Sequence, residues 1–99
     1  MELVIIAQFH AREGQEYAVE SALREQLPKV RPEPGCLSIT ALRSTRDARL
    51  FFIHSRWRDE AAFDVHAELA NTQAFVARME SLIDDPFEAN RTAVIAGKD

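Results

Sequence analysis

Cysteine is nearly missing from this chain of 99 residues, with Cys36 standing alone. No internal disulfide can form and no thiolate zinc cage can be assembled, which points to a fold that does not depend on oxidation. Glycine is scarce as well: Gly14, Gly35 and Gly97 are the only three. Neither a dinucleotide fingerprint nor a phosphate-cradling loop can be built from them, so nucleotide-dependent enzymes drop away. No stretch approaches the roughly 20 apolar residues of a membrane span. The opening Met1-Glu2-Leu3-Val4-Ile5-Ile6 lacks the basic start and small-residue cleavage site of a secretory signal, and the expectation is a cytoplasmic protein. There is no block of Lys or Arg, and 12 basic against 16 acidic residues leave a net charge of −4. A phosphate backbone is repelled on average, so nucleic acid is not an expected partner.

What is present is an ordinary globular composition, 46% apolar and 28% charged. That much Leu, Ile, Val and Phe can offset chain entropy, and the length suits one core, so residues 1–99 are expected to form a single domain. From Glu2 to His10 apolar residues fill both alternating sets, the mark of a strand covered on both faces. After Gly14 the period changes. Val19, Ala22, Leu23, Gln26, Leu27 and Val30 share one helical stripe. The Arg31-Pro32-Glu33-Pro34-Gly35 segment cannot continue that helix and makes a turn. A second strand is expected over Cys36–Arg43, a polar hairpin connection over Ser44–Arg49, and a third strand over Leu50–Trp57, again loaded on both sides.

Asp59 offers an N-cap to a helix carrying Ala62, Phe63, His66, Leu69 and Ala70 on one face. Asn71 or Thr72 can start another helix, which presents Phe75, Met79, Leu82 and Ile83. The Asp84-Asp85-Pro86 break then leaves Phe87–Ile95 as a fourth strand. The order β-α-β-β-α-β specifies an α+β, ferredoxin-like fold, a four-stranded antiparallel sheet with helices on one face. The other sheet face would expose apolar residues of the first and third strands, and pairing two such faces implies a homodimer.

Chemistry has few candidates. His66 lies on the apolar stripe of its helix, either as a core histidine satisfied by a hydrogen bond or as a proton-transfer group facing a cavity. Trp57 suits the wall of an aromatic pocket or a core lid. His54 and Ser55 point to opposite sheet faces; if Trp57 faces the helices, Ser55 joins it near His66 and His54 goes to the dimer face. His10 is expected to be solvated. The three histidines fall on different elements without a carboxylate pattern, so no metal is expected. Arg43, Arg46, Arg49, Arg56 and Arg58 straddle the hairpin among acidic residues and read as a salt-bridged surface.

The stretch Phe51-Phe52-Ile53-His54-Ser55-Arg56-Trp57-Arg58-Asp59-Glu60-Ala61-Ala62-Phe63-Asp64-Val65-His66 resembles the antibiotic biosynthesis monooxygenase family of dimeric α/β barrels. That family has an apolar strand ending in Glu-x-Trp, an Asp-Glu-Ala-Ala-Phe-like helix start and a His. The Gly-centred turn, Pro34-Gly35-Cys36, the Thr72-to-Phe75 helix and the closing strand also sit where members have them. The resemblance implies a homodimer and, among members, cofactor-independent oxygenases of aromatic phenols, quinol-directed enzymes and proteins that process small oxidised signalling molecules. His66 and Trp57 match the family, so His66 is expected as the catalytic residue and Trp57 in substrate binding, joined by Phe63 from the same helix face and by the Ser55 hydroxyl. Ser55 departs from the family, which often has Glu there. Haem-degrading relatives carry Trp at the place of His66 and a haem-ligating His further on, where this chain has Val76 and Ala77, so haem is not implied.

The expectation is a monooxygenase without metal, flavin or other cofactor, acting with molecular oxygen on a small phenol or quinol. The alternatives are an isomerase or degrading enzyme for a small oxidised signalling metabolite, and a dimeric ligand-binding or stress-associated module without chemistry.

Overall fold

The computed structural model describes residues 1–97. Strand β1 (Leu3–His10) leads into helix α1 (Glu16–Val30), followed by β2 (Cys36–Arg43), β3 (Leu50–Trp57), α2 (Glu60–Glu68), α3 (Ala70–Glu80) and β4 (Glu88–Thr92). The strands form one antiparallel sheet in the order β2-β3-β1-β4, the ferredoxin-like arrangement expected from the sequence.

Alternation along the two inner strands sets the layers. Leu3, Ile5, Ala7 and Phe9 of β1 pair with Trp57, Ser55, Ile53 and Phe51 of β3, and all eight side chains are buried beneath the helices. The α1 stripe Val19, Ala22, Leu23, Gln26, Leu27 and Val30 is the buried face of that helix. Phe51 and Met79, both sealed from solvent, contribute about 1.5–3 kcal/mol each by burial. Two apolar clusters result, one around Phe9, Phe51 and Met79 and the other around Ile5, Val30 and Trp57.

Local signals hold where the sequence placed them. The Asp59 side chain accepts a hydrogen bond from the Ala62 amide at 2.8 Å and caps α2. Its carboxyl is held below the usual Asp range chiefly by that bond. At Leu69 the backbone turns extended (ψ 142°), which breaks the second crossover into α2 and α3. In the turn after α1, the Glu33 amide donates to the Val30 carbonyl (2.9 Å) and the Cys36 amide to the Glu33 carbonyl (3.1 Å). Gly35 closes that turn at φ +84°.

The fourth strand is shorter than the expected Phe87–Ile95. It pairs with β1 only from Glu88, opposite Gln8, to Thr92, opposite Val4. Beyond Thr92 the antiparallel register runs off the start of β1, and Val94 and Ile95 are left exposed. The face of the sheet away from the helices carries Val4, Ile6, Leu42, Phe52 and His54 among Ser38, Thr40, Gln8, Glu88 and Asn90. Ile6 and Leu42 are each more than two fifths exposed. Among the described residues no helix is long and apolar enough to cross a membrane.

Candidate functional site

At the seam between the two apolar clusters lies a partly open cavity of about 210 Å³, lined by the sheet floor, α1, α2 and α3. One part of its wall is aromatic: Phe9 stacks on Phe87 at 5.4 Å between centroids and meets Phe75 edge-on at 6.3 Å. Its polar groups are Gln26, Ser55, His66 and Thr72, and among the described residues neither Lys nor Arg reaches it. A wider groove of about 430 Å³ runs between α1 and β2, but it is a surface feature without histidine. Two of its three arginines, Arg24 and Arg43, are paired with Glu20.

His66 projects from α2 into the polar part of the cavity. Its Nδ1 lies 2.7 Å from Glu33 Oε1 and 3.4 Å from Thr72 Oγ1, and both members of the Glu33–His66 pair are close to nine-tenths buried. Nε2 has no hydrogen-bond partner within the described chain, so it is the nitrogen left for a bound molecule. Glu33 Oε2 is buried without a partner among the described residues. The imidazole packs against the Trp57 indole at 4.7 Å with the planes 35° apart, and Phe63 completes the aromatic set, 5.4 Å from His66 and 5.5 Å from Trp57.

Trp57 Nε1 donates to Ser55 Oγ at 3.0 Å. The indole is a donor only, so it occupies a lone pair of the hydroxyl and leaves the Ser55 proton to be given elsewhere. No group among the described residues takes that proton, and Ser55 lines the cavity. A carboxylate at this position could only accept; the hydroxyl can donate to an oxygen of a bound molecule.

Ser55, Phe63 and His66 all reach the cavity wall. Trp57 does not: it has no exposed surface and stands behind Ser55 and His66, orienting both, rather than forming the wall itself. His54 points to the opposite sheet face, as strand parity requires. His10, expected to be solvated, is partly exposed but is also held by two carboxylates. Its Nδ1 is 2.8 Å from Asp84 Oδ1, its Nε2 is 3.4 Å from Asp47, and Arg49 binds the other Asp84 oxygen at 2.7 Å. His10, Asp84 and Asp85 could converge on a metal ion, but the Arg49 guanidinium already neutralises Asp84 there. Of the five arginines expected to be salt-bridged, Arg43, Arg49, Arg56 and Arg58 pair with Glu20, Asp84, Glu2 and Asp59, with Arg56 gripping Glu2 through two bonds of 2.8 Å.

Glu33, Thr72 and Gln26 were not singled out by sequence reasoning. Gln26 Nε2 donates to Asn71 Oδ1 at 2.9 Å, tying α1 to α3 beside the cavity. The signal for Glu33 is its setting: a carboxylate bracketed by Pro32 and Pro34 and followed by Gly35 is held in a rigid turn. Cys36 is adjacent, and burial, with the Glu33 charge second, pushes its thiol up, so it stays protonated near neutrality.

The profile of the family described as Antibiotic biosynthesis monooxygenase matches residues 3–78. Over 62 residues the chain is 32% identical to "Putative monooxygenase YcnE" of Bacillus subtilis, a match covering 63% of this chain and 65% of that protein's length. Among solved structures, PA3566 from Pseudomonas aeruginosa is 28% identical with a TM-score of 0.87, covering 96% of this chain and 95% of its own. Rv0793 from Mycobacterium tuberculosis shares the fold over the whole of both chains, with a TM-score of 0.91 at 21% identity. With the profile spanning both inner strands, the Glu33 turn and the helix that bears His66, this chain belongs to the antibiotic biosynthesis monooxygenase family.

Proposed function

We propose that this protein is a cofactor-independent monooxygenase that oxidises a small, uncharged phenol or quinol with molecular oxygen. The observation that carries the reading is a buried imidazole, held through Nδ1 by Glu33, whose Nε2 has no partner among the described residues and whose ring lines an apolar cavity that no described Lys or Arg reaches. Family membership supports a monooxygenase-type reaction, and the cavity supports the substrate class. An apolar cavity of about 150 Å³ is enough to hold benzene, so about 210 Å³ suits one substituted ring rather than a fused polycycle. A phosphorylated or otherwise anionic metabolite would enter without a counter-charge, which favours the phenol over the signalling-metabolite alternative.

In this reading His66 Nε2 takes the phenolic proton, and the ring, now electron-rich and shielded from water, reduces dioxygen. One oxygen atom forms a bond to a ring carbon and remains as a quinone carbonyl. The other leaves as water, carrying the proton returned by the imidazolium and the proton lost from that ring carbon. The substrate supplies all the electrons. Ser55 donates to the oxygen that gains charge, and Trp57 holds Ser55 and His66 in place.

Two copies joined through the sheet face that carries Val4, Ile6, Leu42 and Phe52 form the working unit in this proposal, because Ile6 and Leu42 on that face are otherwise left to solvent. Oxygen uptake with a panel of single-ring phenols and quinols is the deciding experiment. Substrate-dependent uptake with a quinone product is expected; turnover that proceeds unchanged without oxygen, or saturable binding of every ring with no uptake, overturns the oxygenase assignment.

A further inference from the structure

We propose that Glu33 is the positioning residue for His66, locking the imidazole with its proton on Nδ1 so that Nε2 alone exchanges protons with the cavity. The inference rests on the reading of His66 as the base, and it adds a residue and a direction of proton flow to it.

The geometry is specific to this task. A 2.7 Å contact between two nearly buried side chains is a charge-assisted hydrogen bond at full strength, whereas the 3.4 Å approach of Thr72 is a weak supplement. A carboxylate can only accept, so a neutral imidazole must present Nδ1–H to it. Other neighbours do not compete for that role. Around the ring, α1 contributes Gln26, Leu27 and Val30 to the same cavity, β3 contributes Ser55 and α3 contributes Thr72, with Trp57 packed behind the imidazole. Among the described residues Glu33 is the charged group in contact with His66, and Cys36 beside it stays a neutral thiol.

The unpartnered Oε2 strengthens the case. A buried carboxylate with one oxygen unbonded is costly to keep, and a packing role would be served more cheaply by an apolar side chain. The cost is offset when the ring gains a proton on Nε2, because the imidazolium that forms then faces a full negative charge. The proton taken from a substrate hydroxyl stays on Nε2, and the Nδ1 proton remains shared with Glu33 without crossing to it.

The backbone is built to hold this contact. Pro32 and Pro34 restrict the residues flanking Glu33, and Gly35 presses the turn against α2. The Arg58 amide donates to the Gly35 carbonyl at 2.8 Å, so the start of α2 is tied to the same turn whose carboxylate reaches His66.

Nitrogen NMR of the isotopically labelled protein tests the assignment without a substrate. Nδ1 of His66 is expected to stay protonated over the whole pH range in which the fold persists, while Nε2 gains and loses its proton. The reverse pattern in the unmodified protein overturns the proposal, with no variant required. In Glu33→Gln the amide can accept or donate, so a mixture of the two tautomers is expected. The same variant should lower the phenolate fraction of bound para-nitrophenol, read from its visible absorbance, by about tenfold or more. A pure Nδ1–H tautomer and an unchanged phenolate fraction in folded Glu33→Gln would show that Glu33 serves packing alone. The expected tautomer in a protein that oxidises no phenol would sink the oxygenase reading and leave the Glu33 lock standing.

Discussion

Gly35 and Ala62 are in contact so close that a β-carbon on Gly35 would stand 2.5 Å from the Ala62 β-carbon. Gly35 also has φ +84°, so a side chain there meets both backbone strain and a rigid neighbour. Gly14 has nearly the same φ, +85°, but open space around it. The two glycines therefore separate strain from collision. Gly14→Ala should destabilise the fold by about 1–2 kcal/mol, and Gly35→Ala should add about 1–3 kcal/mol of overpacking to that. Urea denaturation of the two variants checks the difference. Equal losses would mean that the turn and α2 separate freely, and Glu33 would then lack its rigid support.

The contrast explains which parts of the molecule were legible from sequence. Leu3–His10 and Leu50–Trp57 announce buried strands because apolar residues fill both of their faces, and Asp59 announces a helix start because its side chain caps locally. Strand parity alone placed Ser55 beside Trp57 and apart from His54. Glu33 was illegible for a different reason. A carboxylate in a proline-rich turn looks solvated, and its burial is created only when α2, far along the chain, packs on Gly35. His10 escaped in the same way, since Asp84 reaches it from the far side of α3. The end of β4 depended on where β1 begins, which is a matter of pairing register and not of local pattern.

The clasp between His10 and Asp84 should give stability a defined pH dependence. The hydrogen bond to Asp84 raises the His10 pKa above its ordinary value of 6.5, and the same bond lowers that of Asp84 below 3.8. The His10 contribution is complete below 6.5 and is lost as pH rises through the raised folded value. The Asp84 contribution is complete above 3.8 and is lost as pH falls through the depressed one. The pair therefore supports the fold fully between these two pH values. His10→Gln should lower the melting temperature most inside that window, with the gap to the unmodified protein narrowing on both sides. A gap independent of pH would show that the clasp acts through packing and neutral hydrogen bonding alone.

Ile6 tests the proposed pairing of two sheets. It lies between His54 and Asn90 on the face away from the helices and is 42% exposed in the isolated chain. If two copies join there, Ile6→Glu would bring acidic groups into a desolvated interface, where an unpaired charge is strongly unfavourable. Sedimentation should show a dimer for the unmodified protein and a folded monomer for the variant at the same micromolar concentration. A monomer in both cases would rule out the sheet-face dimer.

His66→Gln is the sharpest test of the site, because it separates proton transfer from support of the fold. Truncation to Ala would leave the buried Glu33 carboxylate without its one partner, and breaking a buried pair costs about 3–5 kcal/mol, a large part of a small domain's stability. Loss of activity in such a variant could follow from unfolding alone. Glutamine keeps an amide donor to offer Glu33 and fills most of the same volume, yet it cannot take up a proton. With far-ultraviolet circular dichroism and a urea transition close to those of the unmodified protein, turnover on a phenol found by oxygen uptake should fall by about 10²–10⁴-fold. The affinity for the same phenol should change much less, because the apolar wall that binds the ring, Phe9, Phe75 and Phe87 among it, is untouched by the substitution. Full turnover in a folded His66→Gln protein would make the Glu33–His66 pair a structural element of the core and move the chemistry elsewhere.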